Sequence, residues 1–187
     1  MRRSDEGLRA CSRPKPGAPT EIGPKVEDAV LIAVGSNLGD RRRNIERALE
    51  ALSADGGVRV SAVSRLLETD AVGGPPQGRY LNGVVEIRTR LEPRALLDAI
   101  HRVEASLGRV RGVRNAPREV DLDILAWGGL VLAEPDLEIP HPRLLERAFV
   151  LEPLAEVAPC GVHPLTGRTF LAHWLELKRR LGAESAT

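Results

Sequence analysis

The run Ala29-Val-Leu-Ile-Ala-Val34 contains no polar residue and is rich in β-branched side chains. A strand with one wet face alternates apolar and polar residues, so a continuous apolar run of this length, closed by Gly35-Ser-Asn37, reads as a central strand buried on both sides. That requires a layer of structure on each face of a sheet. A chain of 187 residues is long enough to supply it within one domain. Residues 1–27 lie outside that expectation. They carry four prolines and mixed charge without helical or strand period, the composition of a disordered N-terminal extension. The domain is therefore expected to span residues 28–187.

After the first strand, Asp40 can cap a helix whose apolar positions Ile45, Ala48, Leu49 and Leu52 recur at helical spacing. Val58, Val60 and Ala62 alternate as in a half-buried strand, and Tyr80 to Thr89 forms a second alternating segment. The two should pair as an antiparallel hairpin whose connection, Thr69 to Gly78, is oversized; such loops on compact domains are usually functional or disordered. Pro93 opens a second helix with the stripe Leu96, Leu97, Ile100 and Val103, which stops at Gly108. Val120 to Trp127 is the next strand. Strand, helix, strand, strand, helix, strand predicts a ferredoxin-like α+β fold, an antiparallel sheet with helices packed on its faces. The remainder predicts a short strand near Leu130 to Leu132, small helices around Leu144 and over Val150 to Val157, and a last helix from about Arg168 to Leu181. These pieces are expected to cover an edge of the sheet.

The chemistry concentrates between Arg109 and Leu125. Arg109, Arg111, Arg114 and Arg118 put four guanidinium groups within ten residues, and Arg forks match phosphate oxygens bidentately. Asp121 and Asp123 follow on one face of a strand, since strand side chains alternate, with Leu125 continuing that face and Leu122, Ile124 and Ala126 opposite. Paired carboxylates with open positions suit Mg²⁺, a hard ion that keeps waters and shares substrate phosphates. Gly108, Gly112 and Pro117 make the arginine segment a loop able to close over a phosphate and exclude water.

Composition narrows the function classes. Hydrophobic residues make up 42%, charged residues 28%, and net charge is +1, so no global basic field favours nucleic acid. Aromatics at 3% are too few for a base-stacking module. No apolar run approaches a membrane span. Cys11 and Cys160 match neither a disulfide framework nor a zinc spacing, and read as free thiols in a reducing cytoplasm. Two further classes stay open on residues alone: another Mg²⁺-dependent phospho- or nucleotidyltransferase with a different acceptor, and a non-enzymatic ferredoxin-like regulatory module.

Ordered motifs over most of the domain carry a more specific likeness. Gly35-Ser-Asn-Leu38, Tyr80-Leu-Asn82, Gly108-Arg-Val-Arg111, Pro117-Arg118-x-x-Asp121-Leu-Asp123-Ile, Ile139-Pro-His141 and Arg147-x-Phe149-Val-Leu-x-Pro-Leu follow one another between Ala29 and about Pro159. In these the chain resembles the 6-hydroxymethyl-7,8-dihydropterin pyrophosphokinases of folate biosynthesis. The resemblance implies an enzyme that moves pyrophosphate from its co-substrate ATP to the pterin hydroxymethyl group and releases AMP; a cytoplasmic monomer with no nucleic-acid or membrane partner is expected. It implies two Mg²⁺ on Asp121 and Asp123, and catalytic roles for those residues with Arg109, Arg114 and Arg118. ATP would be met by Glu104, Arg109, Arg111, Arg118, Ile124, His141 and Arg147. The pterin ring would stack between Tyr80 and Phe149, with Asn82, Thr69 and Val72 at its polar edge. Departures are Asp70-Ala71 where two prolines commonly follow the threonine, Asn115 in place of an aromatic, and Pro142 in place of another.

Overall fold

The computed structural model describes residues 28–54, 56–71, 73–109 and 116–184. Seven strands and four helices run in the order β1 (Asp28–Ser36), α1 (Arg41–Ser53), β2 (Val58–Val63), β3 (Leu67–Thr69), β4 (Tyr80–Thr89), α2 (Pro93–Ser106), β5 (Asp121–Trp127), β6 (Leu132–Glu134), β7 (Leu137–Ile139), α3 (Ala148–Val157) and α4 (Phe170–Glu184). The main sheet is antiparallel with strand order β2-β4-β1-β5, and β3 continues the β2 edge along β4. With helices α1 and α2 on one face, this is the expected ferredoxin-like α+β arrangement. The expected arm, residues 1–27, lies outside the described residues.

β1 has no polar alternation because both its faces are covered. Val30, Ile32 and Val34 pack with Ile45, Ala48 and Leu52 of α1 and with Leu96, Ile100 and Val103 of α2. Leu31 belongs to a second cluster on the other face, with Val84, Leu125, Ala126, Val150, Leu151, Leu154, Phe170 and Leu177. The C-terminal elements, expected at an edge, thus cover the second face of the sheet. The apolar character of α3 explains this, because Val150, Leu151, Leu154 and Ala155 are all buried and leave that helix no wet stripe of ordinary width.

Local boundaries follow capping and turn chemistry. The Asp40 side chain accepts the Arg43 backbone N–H at 3.1 Å and starts α1, and Pro93 occupies the first turn of α2. Several expectations are corrected. β3 was not anticipated, being three residues joined to β2 through Ser64, whose hydroxyl accepts the Val84 N–H at 2.9 Å. The strand expected near Leu130 to Leu132 is instead a β6–β7 hairpin. Leu144 sits in a turn, fully buried, and not in a helix.

A bulge in β5 changes which residues share a face. Ile32 pairs with Ile124 and Leu31 with Ala126, so Leu125 is the extra residue. Leu125 and Ala126 both enter the second cluster while Trp127 returns to the first. Ala126, expected to follow Leu122 and Ile124, therefore points the other way. Cys160, expected as a free thiol, is disulfide-bonded; it is exposed in the turn after α3, where its sulfur can be reached. No helix among the described residues is long and apolar enough to cross a membrane.

Leu151 is fully buried between α3 and the sheet. Leu151→Ala should lower unfolding free energy by about 2–5 kcal/mol in denaturant titration. A loss below ~1 kcal/mol would mean that α3 does not close the second face.

Candidate active site

The site is built at one end of the sheet, on the face that α3 covers. Three strands supply it through a single rung: Gly35 of β1 pairs with Asn82 of β4 on one side and with Asp121 of β5 on the other. Gly35 has the structural reason that its motif alone did not reveal. A Cβ there would lie 2.6 Å from the Asn82 Oδ1, a clash with a polar side chain that is itself engaged, since the Asn82 Nδ2 donates to Thr69 Oγ1 at 2.8 Å.

An open cleft of about 590 Å³ is lined by Thr69, Tyr80, Asn82, Arg118, Asp121, Arg147 and Phe149, all candidates from the sequence, together with Asp70, Gly73, Gln77 and Arg143. An adjoining niche contains Asp123 with Gly35, Asn82, Asp121, Arg147 and Phe149. Tyr80 and Asn82 share a face of β4 because they are two residues apart. Phe149 stands in the first turn of α3, and the Arg147 guanidinium lies 5.8 Å from its ring centroid.

Asp121 is held by two cations. Arg118 Nη1 donates to its Oδ1 at 3.0 Å, and Arg109 Nη1 lies 2.7 Å from the same oxygen. Arg109 also donates to Glu104, which is 2% exposed and accepts the Leu122 backbone N–H at 2.9 Å. Burial raises the Glu104 pKa above the ordinary carboxylate range, against the stabilising Leu122 N–H and Arg109. Glu104, expected at the nucleotide, thus sits beneath β5 and bears on the site through Arg109 and the strand. Ile124 is likewise in the core beside α1 and α2, so its side chain turns away from the carboxylates. Arg111, Arg114 and Val72 lie outside the described residues.

Asp123 carries the largest electrostatic perturbation. Burial, then repulsion from Asp121, raise its pKa to about 6, although Arg109, Arg147 and Arg118 oppose the rise. A bound cation would relieve both causes at once. Among the described residues no group of three or more His, Cys, Asp or Glu could hold a metal. The protein thus offers two carboxylates, leaving most of any coordination sphere to water and ligand oxygens, the pattern that suits Mg²⁺ shared with phosphate.

Arg118 is the cation best poised for an anion. Its backbone N–H donates to Asn37 Oδ1 at 2.8 Å and its carbonyl accepts the Asn37 N–H at 3.3 Å, which fixes the chain where it enters the cleft. Burial works against its charge, but Asp121 and Tyr80 outweigh that and hold its pKa above the usual arginine value. Its Nε is buried and has no acceptor. His141 is fixed by its N–H to the Leu125 carbonyl at 2.8 Å, and its Nδ1 accepts the Arg143 N–H at 3.0 Å, leaving Nε2 to carry the proton. Burial, Arg147 and Arg143 lower its pKa, so the ring is neutral near pH 7. Arg147 is lowered as well, by burial and by Arg143.

Asn37, Gln77 and Arg143 were not singled out in the sequence. Gln77 Oε1 accepts from Asn37 Nδ2 at 2.8 Å and from the Tyr80 hydroxyl at 3.3 Å. Asn37 had a signal, its place directly after β1 in Gly35-Ser-Asn37; Gln77 and Arg143 sit in loops whose conformation no periodicity predicts.

Two part-buried carboxylates, an arginine whose buried Nε has no protein acceptor, and two aromatic side chains thus line one cleft of a ferredoxin-like sheet, an arrangement suited to a phosphorylated ligand with a flat ring. Residues 31–159 match the family model described as 7,8-dihydro-6-hydroxymethylpterin-pyrophosphokinase, and the chain belongs to that family. It is 46% identical over 132 residues to the 2-amino-4-hydroxy-6-hydroxymethyldihydropteridine pyrophosphokinase of Bacillus subtilis, covering 71% of this chain and 79% of that one. To the enzyme of the same name from Pseudomonas aeruginosa it is 45% identical over 130 residues, 70% and 80% of the two chains. Among solved structures it resembles Plasmodium falciparum HPPK-DHPS with pteroate, at a TM-score of 0.68 and 12% identity, over 88% of this chain and 47% of that one. That likeness concerns the fold, and this chain spans less than half of the solved one.

Two outcomes test the geometry. Gly35→Ala should push Asn82 off Thr69 and weaken pterin binding on the order of tenfold in a fluorescence titration, with ATP affinity changed much less; equal losses for both ligands would contradict the local role. For Asp123, a raised folded pKa means the folded state holds the proton more tightly, so stability falls as pH climbs from about 4 through about 6. Asp123→Asn should therefore raise the apo-protein's unfolding free energy on the order of 1–3 kcal/mol at pH 8 and by little at pH 4. A gain independent of pH would contradict the charge as its cause.

Proposed function

We propose that this chain transfers the pyrophosphoryl group of ATP to the hydroxyl of 6-hydroxymethyl-7,8-dihydropterin, giving AMP and the pterin diphosphate in folate biosynthesis. The observation that carries the reading is Arg118. One arm of its guanidinium is tied to Asp121, its Nε is buried without a protein acceptor, and the residue lines the cleft that Tyr80, Asn82 and Phe149 also line. A phosphate oxygen in that cleft, beside the aromatic side chains, suits a guanidinium that Asp121 holds in place.

In this reading Tyr80 and Phe149 hold the pterin ring by stacking, and Asn82, fixed by Thr69, presents its amide to the ring's edge. Asp121 and Asp123 would hold two Mg²⁺ ions, which when bound supply charge neutralisation on the phosphates and alignment of the attacking and leaving oxygens. Arg118, Arg109 and Arg147 take phosphate oxygens, and His141, neutral and protonated on Nε2, donates to the nucleotide. Arg111 and Arg114 belong to the same proposal as further phosphate contacts, and Val72 as a pterin contact, on the family motifs alone. Glu104 keeps Arg109 and the start of β5 in place. The β-phosphorus is attacked by the hydroxymethyl oxygen, its bond to the α-phosphate oxygen breaks, and AMP departs with that oxygen.

The same reading takes the enzyme to act as a monomer. Dependence on ATP supports a cytoplasmic setting, in which reducing thiols would act on the Cys160 disulfide.

Incubation with ATP, Mg²⁺ and 6-hydroxymethyl-7,8-dihydropterin should give AMP and pterin diphosphate in equal amounts. Asp123→Ala and the near-isosteric Asp123→Asn should lower turnover on the order of a thousandfold with circular dichroism unchanged. ADP as the nucleotide product, or no pterin-dependent turnover, would overturn the reading.

A further inference from the structure

Arg143 has no part in the reaction as described so far. It lies in the turn between His141 and α3, half-exposed, and lines the same cleft as Tyr80, Asn82 and Phe149. Its main chain is anchored, because its N–H donates to His141 Nδ1. Its charge is not committed: the ion pair recorded for it is with Glu146 on its own turn, 3.7 Å long and solvent-exposed, and such a pair contributes little.

The cleft offers Arg143 no better partner. Two carboxylates line it, and both are engaged elsewhere, Asp121 by Arg109 and Arg118, and Asp70 by Arg79 at 3.1 Å. Apart from the exposed Glu146, the titratable side chains close to it on its own segment are His141 and Arg147, and Arg143 acts against the charge on both. Arg118, Arg143 and Arg147 therefore make a wall of the cleft that suits an anion. The position of each arginine says which anion. Arg147 lines both the cleft and the niche that contains Asp123, whereas Arg143 lines the cleft alone. An anion that reaches Arg143 is one carried on the pterin side.

We propose that Arg143 binds the diphosphate of the product, so that the cleft holds the pterin diphosphate through a contact that the pterin alcohol does not make. A guanidinium fork matches two phosphate oxygens, and the group comes within its reach only once it is bonded to the pterin. Arg143 is thus a residue that separates product from substrate, and it governs product retention. This rests on the pyrophosphokinase reading.

The test is binding of two probes, 6-hydroxymethylpterin and 6-hydroxymethylpterin diphosphate, to wild-type protein, Arg143→Ala and Arg143→Lys, by calorimetry. Arg143→Ala should weaken the diphosphate on the order of tenfold and change affinity for the alcohol by less than about twofold, while Arg143→Lys recovers part of the loss. Unchanged diphosphate affinity in Arg143→Ala overturns the proposal, and so does an equal loss for both probes, which marks a structural role. Wild-type protein that binds neither probe overturns the pyrophosphokinase reading itself, a result distinct from the other two.

Discussion

The site depends on one crowded rung of the sheet. Gly35 stands between Asn82 and Asp121, and the absent side chain at Gly35 is what lets an amide from β4 and a carboxylate from β5 serve a common space. The ferredoxin-like order brings β4 and β5, far apart in sequence, to either side of β1. The Asn82 amide and the Asp121 carboxylate are consequently positioned by the same backbone pairing, which the two cores hold from both faces. A slip of one residue in either pairing would turn Asn82 or both carboxylates into the opposite core.

Burial then gives the rung its chemistry. Two carboxylates on one face, with Asp123 shielded from water, disfavour ionisation of the second, and Asp123 is raised to about 6 in consequence. The nearby arginines offset this only in part, because Arg109 and Arg118 converge on Asp121 and Arg109 is shared with Glu104. Such an arrangement is poor for stability alone, since half-compensated buried charge costs free energy. It is well suited to a ligand that adds cations beside Asp123 and anions beside Arg118, and the imbalance is therefore evidence of use.

How far the sequence could be read follows from which forces are local. The apolar run of β1, the stripes of α1 and α2, the Asp40 cap and the alternation that unites Asp121 and Asp123 are periodic or capping signals, and the structure contains each of them. The bulge at Leu125 had no such signal. It arises from fitting a strand that must serve two cores, and it reversed Ala126. β3 and the β6–β7 hairpin are three-residue strands, too short for a period to register. At the site, Tyr80, Asn82 and Phe149 were legible because the family motifs carry them, while Gln77 and Arg143 act through loop geometry. Glu104 entered through the family resemblance alone, and its burial under β5 depends on the packing of α2, which no local pattern encodes.

The departures from family pattern show the same logic at the loop between β3 and β4. Asp70 and Ala71 stand where two prolines commonly stiffen the chain. In their place the neck of the loop is closed by charge: Asp70 and Glu68 on one side both pair with Arg79 on the other, and Arg41 of α1 joins Glu68 at 2.7 Å. The Arg41 contact, by hydrogen bond and charge, holds the Glu68 carboxyl below its usual range. Each pair is exposed and weak alone, yet the four groups bridge three elements and are reinforced by Gln77, whose carbonyl oxygen accepts from Asn37 and Tyr80. Proline restricts a loop at all times through its fixed φ, whereas an ion-pair neck holds the loop reversibly and weakens with salt. At Asp70 and Ala71 the chain thus has an electrostatic restraint on the neck of the loop, while Pro75 and Pro76 restrict its tip.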